Sequence, residues 1–414
     1  MGPVPLLPAK IVVPEIVPRA LARPELHDEL WSLTDLPVTL LTGPAGAGKT
    51  QLVAAWAADA GAGDPLAWLT LDRDDRHQPA RLWRHLVAAL RGAGVALPAA
   101  LLEAAAAGTA DHRAAIAVAA ALAGWDRPLL LVLDGATWLD EEQLAEIDYL
   151  VRYAGCLRLL MIGRHKPRFP LHRYRLAEEL GELAGADLML DATRVRALFA
   201  LHGVELTGEA LADVLGQTRG WIAPVRLCAL AMEGRPRAGV PELARHEHVV
   251  EYVSGEILGG LSQRQRSLLG SAALLDTFTA DLLAAAIGDG EQGGGTDLLE
   301  ELAGTGAFVE VADAARAQYR VHPLLGQTLR DRLGLPAGQA RAAGLRAARW
   351  LAGRGDVHGA VARAVAAGAW DEAAGIVVDD LAVGELILDG PAGPQTRQRA
   401  HRPRGARRPA GGVV

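Results

Sequence analysis

One eight-residue segment restricts the folds open to this chain more than any other feature. Residues 43–50 read Gly-Pro-Ala-Gly-Ala-Gly-Lys-Thr and satisfy every position of the pattern G-x-x-x-x-G-K-[ST]. The apolar run Val38-Thr39-Leu40-Leu41-Thr42 comes before it and predicts a buried strand, and an apolar helix is expected over 51–60 after it. A glycine-rich turn between a strand and a helix is the context in which this pattern holds phosphate, so the segment predicts a nucleotide-binding loop.

Each residue type in this loop has its own expected task. The glycines let the backbone curl so that its N–H groups and the N-terminus of the helix face phosphate oxygens. Lys49 would place a positive charge over the β and γ oxygens, and the Thr50 hydroxyl would bind Mg²⁺. Because 39 of the 42 basic residues are Arg, a lysine at this position is hard to attribute to chance. The predicted nucleotide contacts are Gly43, Pro44, Ala45, Gly46, Ala47, Gly48, Lys49 and Thr50.

Apolar runs alternate with helical patterns up to about residue 190. Further strands are predicted at 66–71, 129–133 and 157–162, with helical stretches between them. Strands that alternate with helices indicate an α/β layer, so the first part of the chain is predicted to be a P-loop nucleotide-binding domain with a parallel sheet.

Helical periodicity dominates after about residue 191. Two short strands, at 307–311 and 318–321, follow helices and suggest a winged helix, and Ala-rich helices over 338–384 have the spacing of stacked hairpins, the start of an α-solenoid. Residues 391–414 have almost no apolar content and are expected to be disordered. The predicted segments are a P-loop ATP-binding domain at 1–190, a helical lid at 191–240, a winged helix at 241–335, the start of a helical-repeat sensor at 336–390 and a basic tail at 391–414.

Composition excludes several other classes of protein. The 414 residues carry 49 acidic and 42 basic side chains, a net charge of −7, which argues against a chain coated in basic surface for nucleic acid, although the tail is rich in Arg. No run of about 18 apolar residues and no signal-like N-terminus is present, so a cytoplasmic protein without membrane partners is expected. Cys156 and Cys228 lack metal-ligand spacing and are interpreted as buried thiols.

A carboxylate that reaches Mg²⁺ is expected at the end of a neighbouring strand. Asp134 ends the apolar run 129–133 and is the candidate for this metal ligand, although an Asp there can also be a turn residue. The next residue is Gly135, where many ATPases place a second acid that polarises the attacking water. Fast hydrolysis is therefore not expected, unless the loop folds back so that Asp140, Glu141 or Glu142 takes the place of the second acid.

Two further polar residues occupy suggestive positions. Arg164 follows the strand at 157–162, and the carboxyl end of a parallel strand faces the crevice where ligands bind, although a solvated arginine is the alternative. His322 precedes Pro323, and its position alone predicts only a residue at the start of a helix.

These features together resemble the signal-transduction ATPases with numerous domains, in particular the maltose-activator-like branch of large LuxR-type bacterial transcription regulators. The resemblance covers roughly residues 8–385. Beyond the phosphate loop it rests on Arg23-Pro24-Glu25-Leu26, Trp68-Leu69-Thr70-Leu71-Asp72, Leu131-Val132-Leu133-Asp134, Gly163-Arg164, Ala186-Asp187-Leu188, Thr218-Arg219-Gly220-Trp221 with Pro224, and His322-Pro323-Leu324-Leu325.

The resemblance implies that the first three domains close around ADP and hold an inactive monomer. An inducer, whose identity is unknown, would bind the helical sensor and favour an ATP-bound form that associates with itself. Arg23 would lie beside the adenine and Pro224 would contact it from the lid. Arg164 would sense the γ-phosphate, and His322 would contact the β-phosphate of ADP.

Two departures from the family pattern qualify this expectation. Gly135 replaces the usual second acid, so the chain is expected to be at most a slow regulatory ATPase. No LuxR-type helix-turn-helix follows the sensor region, and the change to an Arg-rich tail suggests a truncated or frame-shifted product. The chain is therefore interpreted as an ATP/ADP-dependent signalling switch that uses Mg²⁺. A metabolic P-loop kinase or NTPase and a winged-helix DNA-binding protein remain as alternatives.

Overall fold

A computed structural model describes residues 5–59, 65–234, 239–288, 299, 302, 309–313 and 315–379. The chain divides into two compact units, residues 1–340 and residues 341–414. Part of the first wing strand predicted at 307–311 and the basic tail at 391–414 lie outside the described residues. No helix within the described ranges is both long and apolar enough to cross a membrane.

The first unit contains a five-stranded parallel sheet, which confirms the predicted α/β fold. The strand order is β2-β3-β4-β1-β5, so β1 lies between β4 and β5. The short fifth strand escaped prediction because Gly-Glu interrupts its apolar residues. The strands are β1 Val38–Thr42, β2 Leu66–Thr70, β3 Leu129–Asp134, β4 Leu157–Gly163 and β5 Leu180–Leu183.

Both faces of the sheet are covered, as the continuous apolar runs require. Alternate residues enter two separate cores: Leu131 and Leu159 pack on one face, whereas Val132 and Leu160 pack on the other. All six residues of β3 are buried. The helices of this part are α1 Pro24–Thr34, α2 Lys49–Asp59, α3 Pro79–Gly92, α4 Ala99–Ala107, α5 Arg113–Leu122, α6 Glu141–Tyr153 and α7 Leu171–Leu176.

The order of the strands determines where the site lies. Because β3, β4 and β1 are neighbours and run parallel, their carboxyl ends meet at one edge of the sheet. Thr42 lies opposite Gly163 in the β1–β4 pair, and Asp134 lies opposite Ile162 in the β3–β4 pair. The segments that follow these three strands are therefore brought together although they are far apart in sequence.

Among the described residues, the remainder of the first unit consists of helices and a small hairpin, as the sequence predicted. Strands β6 Val309–Asp313 and β7 Gln318–Val321 pair antiparallel, and the Phe278 backbone adds a bridge to Tyr319. The helices are α8 Ala192–Leu201, α9 Gly208–Thr218, α10 Ile222–Met232, α11 Glu247–Tyr252 with a π-helical extension Val253–Leu258, α12 Gln263–Ala273, α13 Ala280–Ile287 and α14 Pro323–Thr328.

The described part of the second unit consists of three helices, the first of which begins at Ala337. The helices are α15 Ala337–Ala352, α16 Val357–Ala366 and α17 Trp370–Asp379. Small side chains such as Ala348, Ala360 and Ala364 form its core together with Ile376. The five-segment division of the chain stays a prediction.

One prediction about side-chain burial is wrong. Cys228 is fully buried, but Cys156 is only half-buried, and its thiol donates a hydrogen bond to the Leu122 carbonyl at 3.4 Å. Cys156 lies just before β4, at the end of the sheet opposite the phosphate loop, where the core thins toward solvent.

Candidate nucleotide-binding site

The predicted phosphate loop connects β1 to α2 and has the backbone that phosphate binding requires. Gly46 and Gly48 have φ angles of +68° and +84°, a region that L side chains rarely adopt. The Lys49 ammonium crosses the loop and donates to the carbonyls of Gly43 and Pro44, each at 2.7 Å. Burial lowers the pKa of Lys49 to about 8, which keeps most of the side chain charged at neutral pH.

The two predicted metal ligands meet directly. The Thr50 hydroxyl lies 3.0 Å from both carboxylate oxygens of Asp134 and donates to them. Burial raises the pKa of the Asp134 carboxyl, while the hydrogen bond from Thr50 and the charge of Lys49 oppose this shift. A hydroxyl and a carboxylate fit the protein's share of a Mg²⁺ site whose other ligands are phosphate oxygens and water.

The residue after Asp134 has no room for a side chain. Gly135 has a φ of +92°, and a Cβ built on it would lie 2.5 Å from the Leu71 carbonyl oxygen. Asp140 caps the N-terminus of α6, and Glu141 forms an ion pair with Arg168. Two of the three acids considered as substitutes for the missing acid are therefore engaged elsewhere, and the third, Glu142, is exposed on α6.

Arg164 follows β4 at the same edge of the sheet. Its charge contributes to lowering the pKa of Lys49 and opposes the rise in the pKa of Tyr252, so the guanidinium lies near both side chains. The predicted position of Arg164 beside the loop agrees with this arrangement, and its role as a γ-phosphate sensor stays a prediction.

Arg23 borders a cavity of about 100 Å³ beside the loop. Its guanidinium donates to the carbonyls of Leu188 at 3.1 Å and Asp187 at 3.2 Å, and its Nε donates to Glu25. These bonds hold Arg23 in the cavity wall. The cavity is lined by Val17, Arg19, Ala20, Leu21, Arg23, Leu26, His27, Ala47, Gly48, Gln51, Leu52, Ala55, Leu188, Leu198, Ile222 and Arg226.

The helical lid bonds to the phosphate loop through its backbone and through an indole. Trp221, fully buried, donates from Nε1 to the Ala45 carbonyl at 3.0 Å, and the Ala223 amide donates to the Gly46 carbonyl at 3.1 Å. Pro224 is buried in the first turn of α10 and does not line the cavity. The sequence offered Trp221 only as part of a family motif, not as a contact to the loop.

His322 lies at the start of α14 and is 1% exposed. Its Nε2 donates to the Thr218 carbonyl at 3.1 Å, and its ring packs edge-on against Trp221, with 5.4 Å between centroids. His322 therefore contacts Trp221, the lid residue that donates a hydrogen bond to the phosphate loop. Its contact with a nucleotide phosphate stays a prediction.

An N-terminal strap, residues 5–22, closes one side of the cavity and was not predicted. The Val17 amide donates to the Gln51 side chain at 2.8 Å, and Arg226 donates to the Pro18 carbonyl at 2.7 Å. Lys10, 7% exposed, forms a salt bridge with Asp72 at 2.8 Å and also contacts Asp75. The only sequence signal for this strap was a second rare lysine in an otherwise irregular, Pro-rich segment.

Comparisons with known proteins agree with this architecture. Residues 26–162 match the AAA ATPase domain family, and residues 254–341 match the MalT winged helix domain family. The fold and the site thus define a P-loop ATPase domain followed by a winged helix.

The chain is similar to the HTH-type transcriptional regulator MalT. It is 28% identical to MalT of Cronobacter sakazakii over 353 residues, 79% of this chain and 37% of that protein. Identity to MalT of Klebsiella pneumoniae is 26% over 342 residues, with the same two shares. The resemblance to the maltose-activator-like branch is thereby confirmed, and the chain spans 37% of the length of these relatives.

A solved structure shares the fold. The Walker-type ATPase of Pyrococcus abyssi superposes with a TM-score of 0.55 at 15% identity, covering 75% of this chain and 96% of that chain.

The buried His322 predicts a loss of stability in acid. Burial lowers its pKa to about 4, Arg219 and Arg320 act in the same direction, and Glu310 opposes them. The unfolded chain binds a proton at this histidine more readily than the folded chain does. The contribution of His322 to the free energy of unfolding is therefore complete above pH 6.5 and falls by up to about 3 kcal/mol as the pH is lowered toward 4.

Urea unfolding between pH 7.5 and 4 measures this dependence. We expect His322→Gln to flatten the slope of unfolding free energy against pH in that window, and His248→Gln, at an exposed position in α11, to leave it unchanged. Equal slopes in the wild type and His322→Gln would contradict the assignment.

Proposed function

We propose that this chain is the nucleotide-dependent switch of a MalT-like transcription regulator, with ADP in the inactive form and ATP in the active form. The observation that carries the proposal is the continuous contact from the phosphate loop to the winged helix. Ala45 of the loop accepts a hydrogen bond from Trp221 of the lid, and Trp221 packs against His322. A nucleotide in the loop would therefore affect two further segments of the chain.

The charges around the loop support nucleotide binding. Lys49 and Arg164 supply positive charge, and Thr50 with Asp134 supplies a hydroxyl and a carboxylate for Mg²⁺. The adjoining cavity has an apolar wall that includes Leu21, Leu52 and Ile222, which suits a purine base. Mg²⁺, when bound, would neutralise charge on the phosphate oxygens.

In the proposed switch, the phosphate of a bound nucleotide competes with two loop carbonyls for the Lys49 ammonium. Its ammonium bonds to the carbonyls of Gly43 and Pro44, and bound phosphate would draw it away from them. The adjacent carbonyls of Ala45 and Gly46 accept the lid's hydrogen bonds, so a rearranged loop would alter the lid contacts. We infer that Arg164, which follows β4, would meet the γ-phosphate of ATP, so that ATP and ADP would have different effects.

The remaining parts of the proposal concern functions of full-length MalT-like regulators, which are longer than this chain. An inducer that binds the helical repeats, nucleotide-dependent self-association and control of transcription are inferred for this chain from its relatives. These relatives are helix-turn-helix-type transcriptional regulators, and this chain covers 37% of their length. The described residues up to 379 thus correspond to the switch rather than to the output.

Lys49→Ala is expected to weaken ADP and ATP binding at least tenfold, because the phosphates lose the ammonium that compensates their charge. Isothermal titration calorimetry of both nucleotides in Mg²⁺ measures the effect. Lys166→Ala, which removes an exposed lysine paired with Glu182, is the matched control and should bind like the wild type. Unchanged affinity in Lys49→Ala would refute the site.

Turnover is expected to be slower than about one per second, because no side chain at position 135 can position water. We expect Gly135→Glu to leave phosphate release slow and to destabilise the fold by about 2 kcal/mol or more, since the left-handed backbone and the Leu71 carbonyl oppose a side chain. Gly155→Glu adds the same charge in open space and should be tolerated. Phosphate release by the wild type at about one per second or faster would contradict this expectation.

His322→Ala is expected to weaken ADP by roughly tenfold to a hundredfold relative to ATP, if the histidine acts as the latch of the ADP form. Side-by-side affinities for ADP and ATP give the ratio. His248→Ala, at an exposed histidine, should keep the wild-type ratio. The same ADP:ATP ratio in His322→Ala would mean that this histidine only packs against the lid.

A further inference from the structure

A tyrosine from outside the P-loop domain lies against the centre of the phosphate loop. Tyr252 ends α11, the helix that precedes the region matching the winged helix family. Its hydroxyl approaches the Gly46 backbone so closely that a Cβ on Gly46 would collide with it. No motif in the sequence marks this residue as a contact to the loop.

The Tyr252 hydroxyl is a buried donor without an acceptor. Its oxygen is shielded from solvent and has no hydrogen-bond partner within the part of the chain that the structure describes. Burial raises the pKa of the phenol above its usual value, so the group keeps its proton at neutral pH. A buried donor that makes no hydrogen bond costs free energy, so a group of this kind calls for an explanation.

The phenol cannot readily turn elsewhere. Its ring packs edge-on against Trp221, with 5.9 Å between centroids, and Trp221 is held by its own hydrogen bond to Ala45. Burial and packing together keep the hydroxyl directed at the loop. The same indole therefore positions both the lid and Tyr252 relative to the loop.

The surroundings identify the chemistry of the missing acceptor. The hydroxyl lies against the backbone of Gly46, at the centre of the phosphate loop. Glu256 and, less strongly, Arg164 are the charges that act on the phenol. A neutral O–H donor without an acceptor at this loop suits an anionic oxygen. In a loop of this sequence, whose backbone cradles the α- and β-phosphates, that oxygen belongs to a bound phosphate.

We propose that the Tyr252 hydroxyl donates a hydrogen bond to a β-phosphate oxygen of the nucleotide held by the phosphate loop. This inference rests on the proposed function and adds a phosphate ligand to it. The contact links the helix before the winged helix to the nucleotide directly, by a path separate from His322. Occupation of the loop by a diphosphate or triphosphate would then hold α11 in place.

Tyr252→Phe tests the proposal because it keeps the ring and removes only the hydroxyl. Without nucleotide, we expect an unfolding free energy equal to or above that of the wild type, since a buried unpaired donor is lost. ADP affinity measured by calorimetry should fall about tenfold or more, as for a hydrogen bond to a charged group. AMP, which lacks a β-phosphate, should compete equally well against a fluorescent ADP analogue on both proteins.

Tyr153→Phe serves as the matched control, since Tyr153 is exposed at the end of α6, near the amino ends of the strands. Unchanged ADP affinity in Tyr252→Phe, or an equal loss for AMP and ADP, would overturn the proposal. So would a less stable nucleotide-free variant, which would indicate a structural hydroxyl. Failure of the wild-type protein to bind ADP would overturn the proposed function itself, an outcome distinct from these.

Discussion

The hydrogen bond from the Trp221 indole to the Ala45 carbonyl is the interaction on which the arrangement around the site depends. Trp221 is fully buried, and its ring also contacts His322, within the region matching the winged helix family, and Tyr252, at the end of the helix just before that region. One side chain thus joins the phosphate loop, the lid and the winged helix. Because interiors are close-packed and do not deform gradually, a change in the loop would be passed to these neighbours as a discrete rearrangement.

The site separates binding from turnover by steric means. The groups proposed to bind phosphate and metal are hydrogen-bonded within the site: Lys49 donates across the loop to the Gly43 carbonyl, and Thr50 donates to Asp134. The position that would orient water is closed, because Gly135 has a left-handed backbone and the Leu71 carbonyl lies against it. Under the proposed function, such a site would hold a nucleotide without rapid turnover, which suits a signal more than a metabolic cycle.

The sequence predicted the sheet and the loop well, because both depend on local patterns. Continuous apolar runs identified four of the five strands, and the end of β3 identified Asp134. The fifth strand is short and contains Gly181, so its pattern was too weak. The N-terminal strap has no periodicity, and its position depends on distant contacts such as Lys10 with Asp72. Arg23 and Pro224 were predicted through family resemblance, and their geometry differs: Arg23 lines the cavity, whereas Pro224 is buried away from it.

By itself, the sequence determined the local chemistry of this protein: a glycine-rich turn that can curl around phosphate, a lysine within it, and no acid at position 135. These features depend on the backbone freedom and side chains of a few consecutive residues. Only the tertiary structure decided that Trp221 reaches Ala45, that His322 is buried with a pKa of about 4, and that Tyr252 faces Gly46. Such contacts join residues more than 100 positions apart, and they arise from the packing of whole helices rather than from any pattern in the sequence around them.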